Sequence, residues 1–149
     1  MERLEKIGEQ SYRSTLAAVF ADVAYLQGRY DEAEELTRTS EELAARDDLA
    51  SQIGWRSVRA KVHGQRGELA EAERLGHEAV EIAARTDGLE WWAGALADLG
   101  EVLRLAGRPA DAAEQLEEAL RLYEAKGVVP AIARTRELLA ELAQPPATA

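Results

Sequence analysis

The stretch from Gln52 to Arg66 carries Arg56, Arg59, Lys61 and Arg66, together with His63, and contains no acidic residue. The chain as a whole has a formal charge of −10, so these four cations stand against a remainder of −14. Guanidinium groups suit bidentate contact with carboxylates. Arg56 and Arg59, with Lys61 beside them, are therefore candidates for holding a carboxylate-bearing peptide or a small anion in a groove. The structural alternative is that the arginines pair with acids on neighbouring helices, Asp22 on one side and Asp98 or Glu101 on the other, and so tie the helices together. Aromatic residues add to the candidate surface. Trp91 and Trp92 are adjacent, and neighbours on a helix diverge by about 100°, so either one of them stands at a groove edge or the additional inter-repeat residues wrap around both. Trp55, Glu101 and Tyr25, the last equally readable as a packing residue, complete the set of candidate groove or partner contacts.

Other chemistries find no residues. The chain has no Cys, which excludes thiolate metal sites, disulfides and a Cys nucleophile, and its two His residues are too few for a His-based metal cluster. The sequence holds no phosphate-binding loop, no Gly-x-Ser-x-Gly and no His-Glu-x-x-His, and its three lysines lie outside any Gly-rich loop. Acid clusters such as Glu32, Glu34 and Glu35 read as solvated helix faces. The expectation is a non-enzymatic protein with no cofactor and no metal. A charge of −10 argues against binding to nucleic acid, and no stretch approaches a membrane span.

Positioning these groups falls to helices. Ala (29), Glu (21), Leu (19) and Arg (15) dominate the 149 residues, whereas Val, Ile and Thr together supply only 18. An internal repeat orders them: Gly28-Arg-Tyr-Asp-Glu-Ala33, Gly67-Glu-Leu-Ala-Glu-Ala72 and Gly107-Arg-Pro-Ala-Asp-Ala112 recur at spacings of 39 and 40 residues. Each glycine separates two amphipathic segments, and acids or Pro109 follow it where a helix opens. Small residues recur at fixed offsets from the glycines: Ala33, Ala72 and Ala112; Ser40, Ala79 and Ala119; Ala21, Ala60 and Gly100. Large apolar residues, including Phe20, Leu99, Ile82 and Leu122, alternate with them, as expected for stacked helix pairs.

The register of the basic segment has two readings. Counting back from Gly67 places Arg56, Arg59 and His63 where the next repeat has Leu96, Leu99 and Leu103. One additional residue in the helix would instead give those sites to Trp55, Val58 and Val62. The second reading is preferred, because three unpaired polar groups in a core stripe cost several kcal/mol.

These offsets resemble the tetratricopeptide repeat, although the period here exceeds that family's usual one. More narrowly, residues 9–143 resemble the C-terminal tetratricopeptide region of actinobacterial signalling proteins that join a cyclase or transcriptional-activator module to an ATPase module. The stretches that carry the likeness are Tyr25-Leu-Gln-Gly-Arg-Tyr-Asp-Glu-Ala-Glu-Glu-Leu36, Trp55-Arg-Ser-Val-Arg-Ala-Lys-Val62, Asp98-Leu-Gly-Glu-Val-Leu-Arg-Leu-Ala-Gly-Arg-Pro109 and Glu118-Ala-Leu-Arg-Leu-Tyr-Glu-Ala-Lys-Gly127. His63-Gly64 departs from the pattern, which favours an apolar residue and Ala there. The resemblance implies a scaffold rather than a catalyst.

The expected fold is all-α, a tetratricopeptide-like right-handed superhelix of three antiparallel helix pairs plus a C-terminal capping helix. Residues 1–10 are expected as a stub or short helix, 11–49, 50–88 and 89–129 as the repeats, 130–143 as the cap and 144–149 as a disordered tail. The expected function is a cytoplasmic protein-interaction scaffold with a concave groove, a module of a larger signalling or regulatory protein. Its expected partner is a protein or peptide, with an acidic segment as the match for the arginines. Two alternatives stand beside it: a sensor of a small anionic ligand in the groove, and a structural segment that packs on upstream domains.

Overall fold

A computed structural model describes residues 1–145 and places seven α-helices among them: α1 (Glu2–Leu26), α2 (Tyr30–Leu43), α3 (Leu49–Gln65), α4 (Leu69–Ala84), α5 (Leu89–Leu105), α6 (Pro109–Lys126) and α7 (Val129–Ala143). The composition explains their prevalence, since Ala, Leu, Glu and Arg lose little side-chain freedom in a helix. The glycines at 28, 67 and 107 sit at φ values of 75°, 78° and 72° and reverse the chain after α1, α3 and α5. At Gly67 the left-handed backbone lets the amide of Glu68 donate to the His63 carbonyl at 3.0 Å, satisfying an end of α3 that would otherwise lack a partner. A side chain there would have open space around it, so its cost is purely that of the backbone. Gly67→Ala is expected to lower the unfolding free energy by about 1–2 kcal/mol, with Gly67→Asn milder, as read by thermal denaturation.

The pairs α1/α2, α3/α4 and α5/α6 pack closely, and α7 covers α6. Between pairs, α1, α3 and α5 lie side by side, while α2 packs on α3 and α4 on α5. The first helices thus form one continuous layer, and the second helices form the other. Close approach depends on the small residues: Ala21, Ala33, Ala72, Ala79, Ala112 and Ala119 are fully buried. At Gly100 an added Cβ would lie 3.0 Å from Leu116 Cγ and 3.4 Å from the Ala112 carbonyl, so α5 and α6 touch almost backbone to backbone. The departure at Gly64 has the same origin: an added Cβ would lie 3.0 Å from Leu105 Cδ1. Glycine is what lets α5 seat against α3 at that point.

A polar joint ties the start of α3 to α1. Asp48 caps α3 by accepting from the Ser51 amide at 3.2 Å, and its second oxygen accepts from the hydroxyls of Ser11, Ser14 and Ser51 at 3.1, 2.9 and 2.9 Å. Burial works against its charge, yet these donors outweigh it and hold the carboxyl below the usual aspartate range.

The structure corrects three expectations. Residues 2–10 are no separate stub; they continue α1, which runs unbroken for 25 residues, with the side chains of residues 2–10 exposed. Phe20 is 55% exposed rather than a core residue, because no helix of the described residues covers that side of α1. The additional residue in the basic helix is not needed, since α3 and α5 each have 17 residues and stop equally far from their glycines. Trp55, Val58 and Val62 are buried in that shared register, and Arg56, Arg59 and His63 take a second, polar seam. A middle helix has neighbours on two sides, which a single-stripe reading does not anticipate. Of the expected tail, Gln144 and Pro145 follow α7 outside the helix; residues 146–149 lie outside the described residues.

Candidate functional site: the first-helix groove

The layer of first helices forms a groove of about 390 Å³ whose lining comes from all three of them. From α1 it takes Val19, Asp22 and Val23, from α3 Ile53, Gly54 and Val58, and from α5 Glu90, Trp91, Ala95 and Asp98. The floor is shallow because Gly54 brings α3 to α1: an added Cβ would lie 3.0 Å from the Ala18 Cβ. On α5, residues 91 and 98 are seven apart, nearly two turns, so Trp91 and Asp98 share the groove-facing side. Trp91 is 48% exposed at the rim, whereas Trp92 turns inward against the buried clusters that hold Ala95 and Leu122.

Beneath this groove lies a buried lysine. Lys61 on α3 reaches Asp22 on α1 at 2.7 Å and Asp98 on α5 at 2.9 Å, and its ammonium stands 4.8 Å from the centre of the Tyr25 ring. One side chain thereby joins all three first helices. Burial alone would depress its pKa, but the carboxylates of Asp98 and Asp22 outweigh that and raise it above the ordinary lysine value. The Asp98 pKa is raised as well: burial, with the nearby charge of Asp22, outweighs the pull of Lys61. Two carboxylates share one ammonium, so the cluster is net negative.

Tyr25 extends the network. It is buried, donates to Glu101 Oε1 at 3.3 Å and accepts from Gln65 Nε2 at 3.0 Å, and burial pushes its hydroxyl up to about 12. Glu101 is half-buried; burial opposes its charge, but hydrogen bonds from Arg104 at 2.9 Å hold its carboxyl below the usual range.

Arg56 and Arg59 do not face the groove. Their guanidinium groups flank the buried Trp55 ring at 4.1 and 4.5 Å from its centre, between α2 and α4. Arg56 bonds Glu78 on α4 at 3.2 Å and the Gln52 carbonyl at 2.9 Å; Arg59 bonds Thr37 and Glu41 on α2 at 3.1 and 2.7 Å. The expected arginine pairing with Asp22, Asp98 or Glu101 is therefore corrected: the acids of the first helices belong to Lys61, Tyr25 and Arg104. The reason is angular. Positions 56 and 59 lie on the side of α3 that meets the second helices, whereas position 61 lies on the side that meets α1 and α5. The sequence did contain a signal for this, since Asp22, Lys61 and Glu101 stand the same six residues before their glycines and alternate in sign. With the arginines elsewhere, the groove lining carries Asp22, Asp98 and Glu90 and no basic side chain.

Two layers of paired helices with glycine turns and small-residue contacts define an all-α helical repeat fold. Residues 55–125 match the family model of the tetratricopeptide repeat. Among solved structures, a TPR-like protein from Chlorobium tepidum is similar with a TM-score of 0.65 at 19% identity, covering 93% of this chain and 99% of that one. No curated protein matches the chain. Tetratricopeptide domains as a class mediate protein–protein interaction and are typically non-catalytic. Among the described residues no helix is long and apolar enough to cross a membrane, and no cluster of His, Cys, Asp or Glu has the arrangement of a metal site.

Proposed function

We propose that this chain is a non-catalytic interaction scaffold whose first-helix groove holds a segment of a partner protein. The observation that carries this reading is the groove itself: it spans three helices, is lined mainly by apolar side chains and has a half-exposed tryptophan at its rim. A face braced by Lys61 and the Asp48 joint is largely preformed, so a bound segment supplies most of the ordering cost. The narrower likeness to the C-terminal regions of actinobacterial regulators supports a role as a module of a larger signalling protein working in the cytoplasm.

The alternative of a small-anion sensor built on Arg56 and Arg59 has less support, because both guanidinium groups are committed to acids and to Trp55. Packing on other domains draws on a strip that overlaps the groove wall: Val19, Phe20, Val23 and Leu26 are exposed along α1, and of these Phe20 and Leu26 lie outside the groove.

The groove is tested by selecting a displayed library of short random peptides on the intact chain. Val19→Trp fills the groove from an exposed position and should leave the melting temperature unchanged while abolishing binding of the selected clones. Clones that bind the variant as well as the parent, or a selection that yields none, would overturn the reading.

A further inference from the structure

The groove has an electrostatic character of its own. Three of its lining residues, Asp22, Asp98 and Glu90, are acidic, and none is basic. Lys61 does not neutralise them, because it is a single cation held between two carboxylates and is itself buried, with a side chain only 6% exposed. It engages one oxygen, Oδ1, of each aspartate. No hydrogen bond from the described residues reaches the other oxygen of either, and the Asp22 and Asp98 side chains remain 45% and 34% exposed. Carboxylate oxygens fixed by a buried ammonium below, yet open above, form a preorganised acceptor pair. Their orientation is set before any ligand arrives, and the apolar walls of Val19, Val23, Ile53 and Val58 reduce screening by solvent. Nearly two helical turns along the same face, the indole of Trp91 offers a surface on which an alkyl stem or a guanidinium plane can stack.

We infer that the groove selects a partner segment through a lysine or arginine side chain, whose cation docks on Asp22 and Asp98 while flanking apolar residues occupy the groove walls. This rests on the groove being the binding face, and it replaces the acidic segment that the basic helix suggests in the sequence. Charge complementarity decides the sign: an acidic segment would meet a net negative floor and the carboxylate of Glu90. A purely apolar one would bury the free aspartate oxygens without a donor, which is unfavourable for charged groups.

The test uses the peptides selected on the intact chain. Clones displaced by Val19→Trp are sequenced, and one is synthesised with arginine at its basic position and again with citrulline, which keeps the shape of arginine and removes the charge. Lysine or arginine should be enriched between apolar residues in groove-binding clones, and the citrulline peptide should bind roughly five- to tenfold more weakly in calorimetric titration. The triple variant Asp22→Asn/Lys61→Met/Asp98→Asn, which removes the acids without stranding the lysine, should bind both peptides alike. Groove-binding clones with no basic preference, or equal affinities of the two peptides for the parent chain, would overturn this inference and leave the groove reading standing. Absence of any clone sensitive to Val19→Trp would overturn both.

Discussion

Lys61→Ala is expected to lower the unfolding free energy by about 3–5 kcal/mol, measured by urea denaturation, because it removes one partner of a buried ionic cluster and leaves the other charges behind. The ammonium is the only group joining Asp22 on α1 to Asp98 on α5 among the described residues, with separations of 2.7 and 2.9 Å. Without it, the two carboxylates face each other across the cavity left by the side chain. The neutral replacement Asp22→Asn/Lys61→Met/Asp98→Asn should recover most of the loss, since an apolar stem of similar length fills the space and no charge is stranded. A single alanine variant that lost less than about 1 kcal/mol would show that the cluster does not brace the stack. The pH dependence has a definite sign. Because the folded state raises the lysine pKa, its contribution is fully present below the ordinary lysine value and is lost only as pH climbs through the higher folded value. Parent and triple variant should therefore converge in stability on the alkaline side.

Leu99→Ala is expected to cost about 3 kcal/mol, the range for a buried leucine whose surroundings cannot collapse. Leu99 is 1% exposed and projects from α5 onto α4, where its Cδ1 lies 3.0 Å from the position a Cβ would take on Gly76. Gly76→Ala alone forces that contact, so a packing penalty of about 1–3 kcal/mol opposes the gain of about 1 kcal/mol in helix propensity. In the double variant the new methyl enters the space vacated by the leucine. Its stability loss should therefore be smaller than the sum of the single losses by about 1 kcal/mol or more, read as a double-mutant cycle in chemical denaturation. Strict additivity would mean that Gly76 and Leu99 are not the complementary pair the geometry shows.

The repeat and its helices were legible because they follow from local rules. Left-handed turns need glycine, and a two-layer stack needs small residues at the crossings, so Gly28, Gly67 and Gly107 with their trailing alanines mark the pairs directly. That Trp91 and Trp92 diverge was legible, but whether both are covered was not; the structure leaves Trp91 half-exposed and turns Trp92 inward. What could not be assigned was partnership across the stack. Arg56 and Arg59 were the conspicuous cations, yet they hold α2 and α4 around Trp55, while Lys61, two residues from Arg59, took the acids expected for the arginines.

The extent of α1 was missed for a related reason. Residues 2–10 have little apolar patterning, and α1 nevertheless continues through them with their side chains exposed, so no buried stripe marks that stretch.

By itself, then, the sequence determined an all-α stack of glycine-punctuated pairs and an anomalous basic helix at its centre. Both depend on neighbours in the chain or on recurrence at a fixed period. Only the tertiary structure decided which way that helix is turned, and with it the sign of the groove. A rotation of one residue is about 100°, enough to move a charge from one face of a middle helix to another, and which faces are occupied depends on helices about forty residues away.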